Sequence, residues 1–466
     1  MKIFMLEERS ENSPAIQKIP EVVPARVLDI ELERAIPVVS AIDDKTGKRY
    51  QRAIVLIRFH TQPLGTVELQ FDEDEVSSSV CARIIWDTLH EQILEHLHQD
   101  GLLLVNGLDA SGLPVSETPR CVEAREKLFA NAPFVSVIIP THNRPDLLQR
   151  CLPSLTTLYY PNYEVIVVDN VPRDDTTAEF IRQNYGNMAR VRYLREDHPG
   201  ISWARNCGIA AAKGEIIAFT DDDVVVDRYW LIELIKNFDT DVTCVTGHVF
   251  PLELETPAQF WYEEYGGSNW FQEEKSDDFK WWFNRHLFDM GANRPQVPLY
   301  PYKAGMFGCG ANMAFTAAVL REIGGFDPAL GGAGPSRCAQ DIAHLFKLVI
   351  HGHKLVYEPA SLVYHQNRRE YTALCKQIYN YGIGLTAYLT KIMLENPELF
   401  PDFIIQSLQA LFLSLSVRRL KNQKKSETHY PQELSMLKLK GMLYGPLAYI
   451  QSKRAESMLR NRISAG

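Results

Sequence analysis

Three adjacent carboxylates, Asp221-Asp222-Asp223, follow the apolar run Glu215-Ile216-Ile217-Ala218-Phe219. The run is short and rich in β-branched residues, so it reads as a buried strand with the acids at its end. Like charges side by side repel. A divalent cation would relieve them, because Mg²⁺ and Mn²⁺ favour carboxylate oxygens and leave positions open for phosphate. The plainer reading is that Asp223 or Asp227 caps a helix starting near Arg228. Two other segments end in polar residues in the same way. Pro140-Thr141-His142-Asn143-Arg144 follows one apolar strand, and Asp169-Asn170 follows another.

The elements that must position these residues begin at Phe134. Val135–Ile139, Tyr163–Val168 and Val191–Leu194 read as buried strands. Between them lie helices that begin at Pro145, with Leu147, Leu148, Cys151, Leu152 and Leu155 on one stripe, and at Thr176. A third helix, Ile201–Lys213, is closed by Gly214. Strands alternating with helices predict a doubly wound, mostly parallel α/β sheet of Rossmann-like type. In such sheets ligands bind beyond the carboxyl ends of the strands, where the polar residues sit. The dinucleotide fingerprint GxGxxG does not follow the first strand, so a nicotinamide dehydrogenase is disfavoured. The glycines between Gly305 and Gly310 lack the Lys-Ser/Thr of a phosphate loop.

The 466 residues suffice for two or three domains, and 45% hydrophobic with 23% charged content is ordinary for a globular chain. A net charge of −9 argues against general nucleic-acid binding. The eight cysteines form no CxxC pair, which suggests neither a zinc knuckle nor a disulfide framework and fits a reduced cytoplasm. No signal-peptide pattern opens the chain, and no apolar run reaches the roughly 20 residues that span a bilayer. The expected location is therefore cytoplasmic.

Residues 1–130 read as a small N-terminal α+β module with its linker. Ala53–Phe59 is a strand, Gln62-Pro63-Leu64-Gly65 can turn it into Thr66–Phe71, and a helix carries Val80, Ile84, Ile85, Leu89, Ile93, Leu94 and Leu97. His90, His96 and His98 on that helix read as surface or rim residues rather than metal ligands. Asn106 to Pro133 reads as linker.

Four segments, Val135-Ser136-Val137-Ile138-Ile139-Pro140-Thr141-His142-Asn143-Arg144, Val167-Val168-Asp169-Asn170, Gly200-Ile201-Ser202-Trp203-Ala204-Arg205-Asn206-Cys207-Gly208 and Thr220-Asp221-Asp222-Asp223, occur in this order. Together they resemble family 2 glycosyltransferases of the GT-A fold, over about residues 133–370, within an expected domain of residues 131–370. The resemblance implies inverting transfer of a sugar from a nucleotide-diphosphate sugar with Mn²⁺ or Mg²⁺. It implies that Thr141 and Asp169 hold the nucleoside, with Pro140, Asn143, Arg144 and Asp222 on the donor side. Asp221 and Asp223 match the DxD motif, Asp223 as direct metal ligand and Asp221 near ribose and metal. Arg205 matches the basic residue near the diphosphate, where its fork of donors suits that group. Phe307–Phe315 reads as a strand and resembles the acceptor-side segment, including Gly310 and Asn312. Gln340-Asp341 opens a helix where the family has Glu-Asp; Asp341 keeps the role of general base, and the Gln leaves the first position's part undefined. A plain structural reading of Asp341 is a helix N-terminal acid. His365 matches a position that can complete the metal shell. The Gln-x-x-Arg-Trp motif of processive synthases is absent, because Gln366-Asn367-Arg368-Arg369-Glu370 has other spacing, which implies single additions.

Pro251 to Pro301 concentrates aromatic residues, among them Phe260, Trp261, Trp270, Trp282 and Phe283. They could stack on the sugar of a glycan, lipid-linked or small-molecule acceptor, or form a core under a long insertion. Residues 371–466 read as a helical, basic segment. From 403 onward eleven Lys or Arg face three Asp or Glu, after the apolar run Phe403–Val417. That pattern suits either peripheral contact with an anionic membrane on its inner face or packing on the catalytic domain. The expectation is a metal-dependent, non-processive glycosyltransferase. The alternative is a catalytically silent sugar-nucleotide or glycan-binding protein on the same fold.

Overall fold

The computed structural model describes residues 23–113, 117–239, 241–264, 282–295, 297–332, 334–421 and 431–465. Strands β1 (Ala25–Glu31), β2 (Val39–Ser40), β3 (Arg52–Phe59), β4 (Gln62–Gln70) and β5 (Glu75–Val76) come first. β1 runs parallel to β3, and β3 and β4 form a hairpin. The hairpin turns at His60-Thr61, not at Gln62–Gly65. Both turn residues have positive φ, 51° and 70°, and Pro63 and Leu64 already lie in β4. Helix α1 (Ser78–Gln99) covers this sheet with Cys81, Ile85, Leu89, Ile93 and Leu97. Its His96 corrects the surface reading. It lies three residues after Ile93 and seven after Leu89, so the helical period puts it on the buried stripe; His90 and His98 are exposed. The expected linker also contains a helix, α2 (Arg120–Ala130). Its only buried side chain is Arg125, so no apolar stripe announces it.

The large sheet uses β6 (Val135–Thr141), β7 (Tyr163–Asn170), β8 (Val191–Glu196), β9 (Ile216–Phe219), β10 (Val224–Val226), β11 (Val242–Pro251), β12 (His286–Phe288), β13 (Met313–Thr316) and β14 (Lys354–His365). The order is β8-β7-β6-β9-β13-β11-β14-β10, with β12 pairing β14. β8, β7, β6 and β9 are parallel, as the alternation predicts. β13 enters antiparallel between β9 and β11, and β10 runs antiparallel to β14, so the sheet is mixed. The strand expected over Phe307–Phe315 is only β13, because Gly308 takes φ 122° with Thr246 filling the space of a side chain. Helices α3 (Pro145–Thr156), α4 (Thr176–Tyr185) and α5 (Ile201–Ala211) link the parallel strands, and α6 (Trp230–Ile235) follows β10. Alternation in β6 sends Val135, Val137 and Ile139 to the core with α3 and Ile138 to the core with α5. Gly208 allows that second approach: a Cβ there would lie 2.6 Å from Ile138 Cγ2.

The longer helices that follow among the described residues are α7 (Pro257–Glu264), α8 (Ala317–Ile323), α9 (Gln340–Ile350), α10 (Tyr371–Glu395), α11 (Phe400–Lys421) and α12 (Gln432–Ala465), with a single turn at Pro328–Gly331. α12 packs against α10 at backbone distance; a Cβ on Gly441 would meet the Tyr379 carbonyl at 2.2 Å. No helix among the described residues is long and apolar enough to cross a membrane. The N-terminal sheet docks on the large one. Ala25, Ile54 and Leu56 share an apolar cluster with Phe250, Leu254, Phe260 and Leu362. Arg58 pairs with Asp227 at 2.7 Å and Arg125 with Glu233 at 2.8 Å.

Candidate active site

The three aspartates lie on the short crossing from β9 to β10, so they leave the sheet where β6 and β7 also end. The register places Thr141 opposite Asp169. Thr141 donates to Asp222 Oδ2 at 2.8 Å, and Arg144 reaches Asp222 Oδ1 at 3.2 Å. Asn143 turns the chain between them at φ 52° and accepts from the Arg173 amide. Pro140 is buried within β6. Asp169 is fully buried and accepts from the Tyr193 hydroxyl at 3.2 Å, while its Oδ1 has no partner. Burial raises its pKa.

Asp223 sits among cations. His365 Nε2 lies 3.3 Å from its carboxylate, Arg368 3.6 Å and Arg144 4.0 Å. The end of β14 brings His365 there, because Val224 of β10 pairs with it. Burial opposes the charge on Asp223, but His365, Arg368 and Arg144 together outweigh it and hold the carboxyl low. In return, against its own burial, His365 is held well above the ordinary histidine range by Asp223. Burial and then the Asp223 charge push Asp222 up to about 6. The ring of His365 is oriented from behind: its Nδ1 meets Asn367 at 2.9 Å, and Asn367 donates to Glu263.

Arg205 is 1% exposed. One amino group donates to Asp221 Oδ1 at 3.1 Å and to the Gly310 carbonyl at 3.0 Å, and the guanidinium lies over the Phe326 ring. Gly310 in turn donates its amide to Asp341 Oδ2 at 2.8 Å. One glycine thus ties the acid run to the start of α9. The structure brings Thr141, Arg144, Asp169, Arg205, Asp221, Asp222, Asp223, Gly310, Asp341 and His365 into this one linked group. Gln340 is buried beside Gly331, with its Oε1 unpartnered. Asn312 points elsewhere. Its amide donates to the His248 and Ser361 carbonyls and accepts from Trp230 Nε1, all within the sheet core, so it offers nothing to an acceptor. Trp270 lies outside the described residues.

Residues 136–321 match the family described as Glycosyl transferase family 2. The chain carries a family 2 glycosyltransferase domain. Glycosyltransferase AglE of Haloferax volcanii is 40% identical over 126 residues, 26% of this chain and 41% of that protein. The pre-mycofactocin glycosyltransferase of Mycobacterium tuberculosis is 29% identical over 244 residues, 51% of this chain and 43% of that protein. The chain matches less than half the length of either relative. A solved structure of mannosyltransferase PcManGT from Pyrobaculum calidifontis, in complex with GDP-Man and Mn²⁺, aligns with TM-score 0.41 and 16% identity, over 71% of this chain and 94% of that one.

Within the glycosyltransferase domain Asp223 and His365 offer an oxygen and a nitrogen donor side by side, with Asp221 beyond them. One or two protein carboxylates completed by substrate phosphates are the usual shell of Mg²⁺. The carboxylates of Asp223 and Asp221 fit such an ion, and His365 Nε2 could join it only on giving up the proton that now faces Asp223. Sequence reading missed Arg368, Asn367 and Glu263. It treats Gln366–Arg369 only as a run lacking a polymerase spacing, and the signal available was the step of three from His365 to Arg368.

Proposed function

We propose that the chain transfers one sugar at a time from a nucleotide-diphosphate sugar to an acceptor hydroxyl, with inversion. The observation that carries the reading is the Gly310 bridge. Its carbonyl fixes Arg205 and through it Asp221; its amide fixes Asp341. A base for the acceptor is thereby set at a constant distance from the donor-side acids. Asp341 would take the hydroxyl proton as the oxygen attacks the anomeric carbon. A single displacement inverts that centre.

Thr141 and Asp169 would receive the nucleoside, the unpartnered Asp169 Oδ1 accepting from a base or ribose donor. Asp223 and His365 would hold Mn²⁺ or Mg²⁺, with Asp221 and Asp222 beside them. Such an ion, when bound, supplies charge stabilisation to the leaving diphosphate. Arg144 and Arg368, 42% and 40% exposed, would meet the same diphosphate directly, whereas buried Arg205 is a positioning residue for Asp221. Gln340 and the Gly310 backbone would border the acceptor. The domain division at about 130 and 370 belongs to the same proposal.

The C-terminal helices would lie on an anionic bilayer. Met436, Leu439, Leu443, Leu447 and Ile450 of α12 form an exposed stripe at helical spacing, flanked by Lys440, Lys453 and Arg454. The Asp341→Asn variant tests the chemistry. It should bind a nucleotide sugar as the natural chain does and lose about 10²–10⁴ in turnover. Undiminished turnover removes Asp341 as base, and a natural chain that binds donors without ever transferring returns the silent binding protein.

A further inference from the structure

We propose that His60, His96, Asp100 and Cys121 bind a zinc ion that fastens the N-terminal module together at its contact with the glycosyltransferase domain. These four supply the only group of three or more His, Cys, Asp or Glu among the described residues whose ligand atoms all lie within 4.8 Å of one another. They come from three separate segments. His60 stands at the β3–β4 turn, His96 in the last turn of α1, Asp100 just past its end, and Cys121 in the first turn of α2.

The ligand atoms are drawn together slightly inside the spacing of a shared centre, which a few tenths of an ångström of outward movement would reach. His60 Nδ1 lies 3.0 Å from both His96 Nε2 and Asp100 Oδ2; His96 Nε2 lies 3.3 Å and Cys121 Sγ 2.9 Å from that oxygen. A tetrahedral zinc shell with ordinary nitrogen, oxygen and sulfur bond lengths has edges of about 3.3–3.6 Å. His60, His96 and Asp100 are each under one-tenth exposed.

Hydrogen bonding alone serves the group poorly. A neutral imidazole has one N–H. His60 Nδ1 faces two neighbours at 3.0 Å, and its proton can serve only one of them. If both rings carry their proton inward, two N–H groups and a thiol crowd one carboxylate oxygen. With an ion at the centre, the four lone pairs point inward without conflict. The other Asp100 oxygen accepts from the Cys121 amide at 3.1 Å, which orients the carboxylate to present Oδ2.

The ligand mix selects the metal. Two imidazoles with a thiolate suit zinc, whereas Mg²⁺ and Ca²⁺ take oxygen shells. Four protein ligands with no open position mark a structural ion. A route in exists, since His96 also lines a cleft of about 620 Å³ between the module and the large domain, with Gln62, Gln92, Lys236 and Glu358. The ion would set α2, and α2 carries Arg125. That arginine donates to the His60 carbonyl and the Thr61 hydroxyl and pairs with buried Glu233 of α6.

The test uses the untagged full-length chain purified from zinc-supplemented medium. Elemental analysis should find one zinc per chain, retained by Asp223→Asn and lost from Cys121→Ser and from His96→Ala. Chelation should lower the melting temperature of the natural chain, and added zinc should restore it. Because either variant could fold poorly, the natural chain is also loaded with Co²⁺. A thiolate-to-cobalt charge-transfer band should appear, and Cys121→Ser should abolish it. A natural chain without zinc, with a melting temperature that neither chelator nor zinc moves, overturns the proposal. So does zinc that survives the paired Cys121→Ser, His96→Ala change or leaves with Asp223→Asn.

Discussion

Gly310→Ala should disable the chain from a single methyl group. A Cβ at residue 310 would lie 2.4 Å from Arg205 Nη2, 2.7 Å from Nη1 and 2.9 Å from Cζ. Long side chains usually swing aside, but this guanidinium is boxed in. It is 1% exposed, it lies over Phe326, and its two hydrogen bonds run to Asp221 and to Gly310 itself. Moving it breaks both bonds and leaves a buried charge unpaired. Hydrogen bonds to charged groups contribute about 1.5–3 kcal/mol each, and breaking one side of a buried pair costs about 3–5 kcal/mol. Asp221 is 26% exposed and can regain water, so the lower end applies, about 3 kcal/mol. Gly305→Ala is the control, since its Cβ would meet only Ile342 Cδ1 at 3.7 Å. Urea unfolding followed by tryptophan fluorescence should separate the two variants by about 3 kcal/mol. Sugar transfer by Gly310→Ala should fall further than stability explains, because the bridge to Asp341 shifts as well. A Gly310→Ala chain matching Gly305→Ala in both assays would refute the bridge as the element that aligns the site.

Two further outcomes follow from buried and exposed side chains. His248 is 1% exposed, and burial holds its pKa down to about 3, so the folded chain keeps it neutral where the unfolded chain protonates it. Its stabilising effect is whole above pH 6.5 and is lost as pH falls toward 3, by up to about 1.4 kcal/mol per pH unit. His344, also held down to about 3 by burial, acts in the same direction. Melting temperature plotted against pH should therefore drop below 6.5, and His248→Phe should make that limb shallower; parallel limbs would exclude His248. On α12, Leu443→Glu with Leu447→Glu should weaken flotation with anionic vesicles and leave the melting temperature nearly unchanged, since both side chains are more than half exposed. Equal flotation would rule out the stripe as the contact.

From sequence alone, the run from β6 to β9, the helices between them and the polar strand ends were readable. Each is announced by local signals: the period of apolar residues, Pro145 at a helix start, carboxylates directly after a strand. The helix expected to run to Lys213 ends at Ala211, and Gly214 lies beyond it, where a Cβ would meet the Ser136 amide nitrogen at 2.5 Å. Those signals sufficed to collect Thr141, Asp169, Asp221–Asp223 and the start of α9 on one rim. They could not say which partner each side chain meets. Arg205 reads as a surface fork for a diphosphate, yet packing encloses it and turns it toward Asp221 and Gly310, the latter 105 residues away. Asn312 reads as acceptor-facing, yet the antiparallel insertion of β13 carries it into the core. α2 escaped notice because its buried residue is a charge whose partner, Glu233, lies 108 residues on. His96 met His60 and Cys121 only when the hairpin, α1 and α2 closed on one another. Periodicity reports which face of an element avoids water; what that face touches depends on contacts distant in sequence, and only the folded chain decides them.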